Sequence, residues 1–317
     1  MRFAHAIGCL TLAPALACGP PPPAAPPTPA VRFITGVPGG SFRTISESLR
    51  DELLRLHPEM RLELLPGSGA VGNVAAIEDN SADLGLAFSD VVYLAANGQL
   101  EGRATAFEHL AGVAVLQLTP FHVVVSPRES ASNINQLRQR IGIGGNRVTG
   151  SAITAHLALD VLAPGVSSSQ IVSVPAGVAP AMLQDGSINA YLQLTSAPTE
   201  RVQISLDQGA RLLPLSTPQV QQLIAAYPFF KPASILAKQY RGLPQSIQTI
   251  GVDSVLVCRK ELPESVVHDL VKGLFDARAA LTARFGADFL DVDGAPATPI
   301  PLHPGAARFY RERELAR

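Results

Sequence analysis

VRFITGVPGGSFRTISESLRDELLRLHPEMRLELLPGSGAVGNVAAIEDNSADLGLAFSDVVY, from Val31 to Tyr93, is the stretch whose reading decides the fold. It runs strand, glycine turn, helix, strand, glycine turn, helix, strand and polar turn. The apolar run Val31 to Ile34 is a strand, and Ile45, Leu49, Leu53 and Leu56 recur at helical spacing after it. Arg61 to Leu65 alternates as a second strand, Ala70 to Asp79 forms a helix, and Asp83 to Ala87 returns as the third strand. Strands separated by helices pair in parallel, which predicts an α/β lobe. The turns are Thr35 to Phe42, Pro66 to Asn73, and Phe88-Ser89-Asp90. Glycines in the first two permit positive φ and close approach to the backbone, and Ser41 or Thr44 can cap the first helix. Helix N-termini converging on one crevice attract a small anion such as a carboxylate, because their unpaired N–H groups and the helix dipole both favour negative charge.

The same pattern recurs downstream. Ile141 to Ile143 leads into Gly144 to Ser151 and then the helix Ala152 to Leu162, so a second lobe with its own anion cradle at Thr149 to Ala152 is expected. Ile171 to Pro175 and Ile188 to Gln193 continue as strands, and Leu194-Thr195-Ser196 brings hydroxyls to a strand end. Val178 to Gln184 and Val202 to Gln208 are helical, and Ala210 to Leu215 is a strand. Tyr227 to Pro232 reads as irregular, because both of its prolines oppose helix. Two long apolar strands, Phe121 to Ser126 and Thr249 to Cys258, leave and re-enter the first lobe, and an amphipathic helix is expected over Ser265 to Phe285. Two crossing strands permit hinge closure around a ligand.

Composition narrows the function. With 47% apolar and 16% charged residues the 317-residue chain buries a sizeable core in two lobes. A net charge of -1 and the lack of Trp argue against a nucleic-acid partner, which requires clustered basic excess. Residues 1–18 read as a signal segment ending in Ala15-Leu16-Ala17-Cys18, in which Cys18 accepts a lipid after cleavage; the alternative is ordinary secretion with cleavage near Ala17. Proline dominates 19–30, a semi-rigid tether. Cys258 is then the only thiol of the mature domain and no disulfide framework is available. No later stretch reaches the length of a membrane helix.

With these residues assembled, the chain resembles the TAXI-type solute-binding proteins of tripartite ATP-independent periplasmic (TRAP) transporters, from about Arg32 to Arg313. The carriers include Thr35 to Phe42, Gly67 to Asn73, Ala82 to Tyr93, Gly150-Ser151 with Thr154-Ala155, Tyr227 to Phe230, Gly251 to Pro263, and above all Ile300 to Ala306 with Phe309-Tyr310. The resemblance implies a type II-like periplasmic receptor, each lobe a mostly parallel sheet flanked by helices, divided as 31–121 with 254–317 against 122–253. It also implies capture of a small organic solute, often an amino acid or a dicarboxylate, and delivery to a membrane permease; the solute is expected to bear a carboxylate, as glutamate, glutamine or a dicarboxylate does, with no chemistry on it and no cofactor. Arg43, Ser89 and Arg147-Val148-Thr149 depart from the residues usual at those places, which bears on the identity of the ligand.

The residues expected to hold the solute are Ser41, Phe42, Arg43, Gly69, Ala70, Ser89 and Asp90 in the first lobe, and Thr149, Gly150, Ser151, Thr195 and Phe229 in the second. Arg43 and Arg147 can pair bidentately with a carboxylate, or can simply be solvated. Tyr93 and Tyr191 are weighed as core more than wall, Phe229 and Phe230 as near the cleft, and His303 as a structural hydrogen-bonding residue. Gly67-Ser68-Gly69-Ala70-Val71-Gly72 fits the dinucleotide fingerprint in letters, but the next strand starts too soon and leaves no strand-end acid for a ribose. No G-x-S-x-G elbow, H-E-x-x-H motif or metal-ligand spacing supports an enzyme. A sensory or accessory lipoprotein that feeds no permease is the competing reading, and a periplasmic hydrolase a third.

Overall fold

The computed structural model describes residues 30–103, 105–144, 149–175 and 177–316; Cys18, the tether and Arg147 lie outside them. The first half of the molecule is built as expected from β1 (Val31–Ile34), α1 (Ser41–Leu56), β2 (Leu62–Leu65), α2 (Ala70–Glu78), β3 (Leu84–Phe88) and α3 (Ser89–Ala96). β1 pairs in parallel with β2 and β3. The expected polar turn at Ser89-Asp90 is the first turn of α3, a helix that periodicity missed because Val91, Val92, Leu94 and Ala95 are buried around most of its circumference.

β4 (Leu110–Val125) follows, and its 16 residues make it far longer than the Phe121 to Ser126 strand read from sequence. It is buried on both faces over Leu110 to Ala114, so it lacks the alternation that marks a half-exposed strand. The second half contains β5 (Ile141–Gly144), α4 (Gly150–Leu162), β6 (Ile171–Val174), α5 (Ala179–Asp185), β7 (Ala190–Leu194), α6 (Glu200–Asp207), β8 (Arg211–Leu212), α7 (Thr217–Ala226), β9 (Lys231–Ile235) and β10 (Ile247–Arg259). β5 pairs in parallel with β6 and β7. The stretch read as irregular is a turn over Tyr227 to Phe230 that runs into β9. Pro232 is tolerated there because β9 pairs with β10 alone, as an edge strand does. The chain closes with α8 (Glu264–Asp276), α9 (Arg278–Phe285) and α10 (Pro304–Leu315). The single helix expected over Ser265 to Phe285 is two, parted at Ala277, where ψ is -8°.

One ten-stranded sheet runs through both halves, eight of its strands in the order β2-β1-β3-β10-β4-β7-β5-β6, with β8 paired to β4 and β9 to β10 beside that path. β4 spends Leu110 to Pro120 against β10 and Phe121 to Val125 against β7, while β10 gives its C-terminal residues to β3 and its N-terminal residues to β9. These are the two crossing strands the sequence predicted. One core gathers residues of β1 to β3, α1 to α3 and α8 to α10. The second half has a core on each sheet face, one under α4 and α7, the other under α5 and α6.

Cys258 is buried in β10, where burial pushes its thiol upward, in keeping with a small core residue. His303 caps α10: its Nδ1 accepts from the Gly305 N–H at 3.1 Å, and its Nε2 donates to the Leu262 carbonyl at 3.0 Å. Burial lowers its pKa, so the neutral ring those two bonds require is the favoured form.

Leu86 is fully buried at the centre of β3, between β1 and β10. Leu86→Ala removes buried methyl groups and leaves a void, so it lowers unfolding free energy by about 2–5 kcal/mol. Urea denaturation checks this; a loss under about 1 kcal/mol would place the side chain outside the core.

Candidate functional site

The turn Gly36 to Gly40 and the first residues of α1, the turn Ser68-Gly69 before α2, and the start of α4 all border one cleft of about 320 Å³. Its other side is formed by the C-terminal ends of β6 and β7 and by Arg201 in α6. The site therefore lies at the carboxyl ends of parallel strands, where open α/β sheets hold their ligands.

Each bordering helix start is built differently. α1 begins after Gly40, whose φ of -89° and ψ of 152° are extended; Ser41 is the first helical residue, and no side chain caps the helix. The expectation that Ser41 or Thr44 caps it is thus corrected. α2 begins after Gly69, at φ 106° and ψ -175°, a conformation confined to glycine, and again no side chain caps the helix. In α1 the Arg43 N–H already turns back to the Gly40 carbonyl at 3.1 Å, so the N–H groups that precede the first intrahelical acceptor are those of Ser41 and Phe42 in α1 and of Ala70 and Val71 in α2, residues that open their helices beside the cleft. In α4 Thr149 does cap: its Oγ1 accepts from the Ala152 N–H at 3.3 Å and donates to the Gly144 carbonyl at 2.9 Å. The Ser151 hydroxyl oxygen accepts the Leu194 N–H at 2.9 Å and so ties α4 to β7.

Gly150 brings the two halves together. A Cβ on it would lie 2.6 Å from Phe88 and 2.9 Å from Ala70, both in the first half. Only a residue without a side chain lets the start of α4 close over β3 and α2.

Of the residues expected at the site, Ser41, Phe42, Gly69, Ala70, Thr149, Gly150, Ser151 and Thr195 line the cleft. Four do not. Arg43 points along α1 and pairs with Glu47 at 2.6 Å, with roughly two-fifths of its side chain exposed; a carboxylate one turn away is the nearer partner. Ser89 and Asp90 are buried behind the cleft at the start of α3, where the Ser89 hydroxyl has no hydrogen-bond partner among the described residues. Phe229 is buried too, 4.9 Å from the Phe230 ring and 5.5 Å from the Tyr93 ring of α3. It fills a contact between the halves rather than the cleft.

Asp90 also joins the halves. One carboxyl oxygen accepts the Val91 N–H at 2.7 Å, and the other accepts the Thr154 hydroxyl of α4 at 2.5 Å. Burial pushes this carboxyl from 3.8 up to about 6, outweighing the hydrogen bonds, which act downward.

Sequence reasoning missed Arg201, Gln193 and the turn after β6 (Pro175, Gly177) as lining, and it favoured core for Tyr191. Tyr191 is both: it is buried, it shares a 3.0 Å hydrogen bond with the Ser205 hydroxyl, and it is among the residues that line the cleft. The available signal was positional, since Arg201 stands in the first turn after the third parallel strand, at the same topological place as the glycine turns.

The NMT1-like family matches residues 34–313 of the chain. The fold is similar to that of MatC from Rhodopseudomonas palustris with bound malate, with a TM-score of 0.55, 16% identity, and 90% of this chain and 97% of that one covered. It is similar to the periplasmic binding protein BugD at a TM-score of 0.54 and 16% identity, covering 91% and 97%. A TctC solute-binding protein from Polaromonas aligns at a TM-score of 0.50 and 18% identity, covering 90% and 98%. The two-lobed architecture of periplasmic binding proteins is therefore the fold of this chain.

The raised Asp90 carboxyl has a measurable consequence. A group that holds its proton more tightly when folded stabilises the native state fully below its unfolded value of about 4, and that contribution is lost as pH rises through about 6. The loss is about 3 kcal/mol. Denaturation at pH 4 and pH 7 should show Asp90→Asn lacking most of this fall; parallel curves for the two proteins would mean that Asp90 ionises normally.

Proposed function

The chain belongs to the NMT1-like family, and on that footing we propose that it is an extracytoplasmic receptor that captures a small carboxylate-bearing solute between its two lobes. The observation that carries the reading is the cleft itself, bounded by the starts of α1 and α2 from one half and of α4 from the other. Its volume sits at the small end of the range for ligand sites, roughly 300–1,000 Å³. MatC, of similar fold, is described with bound malate, which agrees with an acid as ligand.

Magnitudes say what must cooperate. A partly buried helix N-terminus stabilises an anion by up to about 2 kcal/mol, so three contribute up to about 6. Micromolar affinity needs about 8.2 kcal/mol, and part of the gross interaction offsets lost ligand freedom. Contacts from both halves and burial of the solute's carbon skeleton are therefore both required. Because a ligand shifts a population only by its differential affinity for the closed form, bridging contacts also drive lobe closure about β4 and β10.

In this reading the lobes divide as 31–121 with 254–317 and 122–253. The protein works outside the cytoplasm, tethered through residues 19–30 to a lipid on Cys18, and hands the solute to a TRAP-type permease of the kind served by TAXI receptors. It performs no chemistry on the solute.

A thermal-shift panel of mono- and dicarboxylates tests the proposal. A true ligand at a hundredfold excess over Kd adds about 2.7 kcal/mol of stability. Gly150→Val places side-chain atoms where Phe88 and Ala70 stand, so it should leave a folded protein that binds at least about tenfold more weakly. No stabilisation by any acid, together with unchanged behaviour of the variant, would defeat the reading.

A further inference from the structure

Among the described residues the cleft is lined by a single formally charged side chain, Arg201, and by no Asp or Glu. The residues of 145–148 and 176, which lie outside the described ones, are Gly, Asn, Arg, Val and Ala, and so include no Asp or Glu. Arg201 is held by its backbone: its carbonyl accepts the Ser205 hydroxyl at 3.1 Å and the Tyr191 hydroxyl at 3.4 Å. Its guanidinium makes no ion pair or hydrogen bond to another described residue. A guanidinium fork with no partner among the described residues, at the wall of the cleft, suits a planar anionic group.

The position of Arg201 sets the shape of the ligand. Along β7, Leu192 and Leu194 pack with Ala152 and Ala155 of α4, whereas Tyr191 packs with Val202 of α6 and Val174 of β6. Alternation along a strand sends these sets to opposite faces. The N-terminus of α4 and the Arg201 side chain thus reach the cleft from opposite faces of the β6-β5-β7 sheet, with the strand ends between them. Meanwhile an ammonium group placed in the cleft would find no carboxylate and would face positive charge on both sides, an arrangement that burial makes costly.

We infer that the solute is a dianion without an amino group, a short dicarboxylic acid with one acid on the helix N-termini and the other on Arg201. The inference rests on the reading of the cleft as an acid-binding site, and it makes Arg201 the residue that selects a second acid. Of the two solute classes the sequence left open, it favours the dicarboxylate over the amino acid.

Calorimetry on the purified protein, using succinate, glutarate and adipate, each with its monoamide, and glutamate, tests this. At least one diacid should bind the wild type about tenfold or more tightly than its monoamide, the lower end for a charge-assisted bond, and glutarate should exceed glutamate similarly. Arg201→Gln should bring the diacid down to its monoamide while leaving the monoamide within about threefold, and Arg201→Lys should restore part of the preference. Monoamides that bind as tightly as diacids, glutamate that equals glutarate, or a preference that survives Arg201→Gln would overturn the inference alone. Failure of every acid, single or double, would overturn it together with the reading of the cleft.

Discussion

The antiparallel pairing of β4 with β10 is the constraint on which the rest of the molecule depends. The ladder runs from Gly251 opposite Pro120 to Arg259 opposite Leu110, and each strand then continues into other partners in each half. The two halves are therefore not separate bodies linked by loops; they share a sheet. Movement of one half against the other, as the proposed capture of a solute requires, would have to be taken up by bending and twist in two strands. Irregular register at Ser254/Val255 and Leu256/Val257 marks where that ladder already departs from regular pairing. Polar groups are concentrated near this crossing: Thr119 and Ser254 share a 2.8 Å hydrogen bond, Thr249 donates to the Phe121 carbonyl at 2.7 Å, and Lys231 pairs with Asp253 at 2.5 Å. Burial raises the Asp253 carboxyl, and Lys231 acts against that rise, so the pair keeps a charge tolerable beside the sheet.

Three contacts cross the seam between the halves. Gly150 against Phe88 and Ala70, Thr154 against Asp90, and Tyr93 against Phe229 form a glycine contact, a buried hydrogen bond and an aromatic pair. All three involve residues of α3, of α4 or of both, or the strand end that leads into α3. A buried carboxyl that meets only hydroxyl and amide donors is a weak adhesive compared with a fully paired ion, and an aromatic pair contributes about 0.5–1.5 kcal/mol beyond its burial.

Electrostatics inside the cleft come from backbone geometry first and from one side chain second. Uncapped helix starts at Gly40 and Gly69 leave N–H groups available to a ligand, whereas Thr149 spends one of the α4 donors internally and in return fixes that helix against Gly144. Oriented amides stabilise charge without side-chain entropy, because the folded backbone already holds them. Arg201 adds a full charge from the opposite face of the second-half sheet.

The sequence alone determined the alternation of strands and helices that opens each half, the glycine turns at their junctions and the two strands that cross, because each depends on local periodicity or on a backbone conformation that few residues adopt; α3, β9 and the break between α8 and α9 were not among them. Even α7, which was passed over, was legible in Ser216-Thr217-Pro218-Gln219, a capping box with proline in the first turn. Only the tertiary structure decided which chemistry-bearing residues meet in the cleft. Arg43 and Arg201 are alike in type, yet Glu47, one helical turn from Arg43, claims it, while no described residue claims Arg201. Asp90 and Phe229 carry the right chemistry for a pocket and are instead turned into the seam by the packing of α3 on α4 and of the Tyr227 to Phe230 turn on Tyr93. Periodicity tells which side of an element is apolar, but which neighbour that side meets is set by long-range pairing, above all that of β4 with β10.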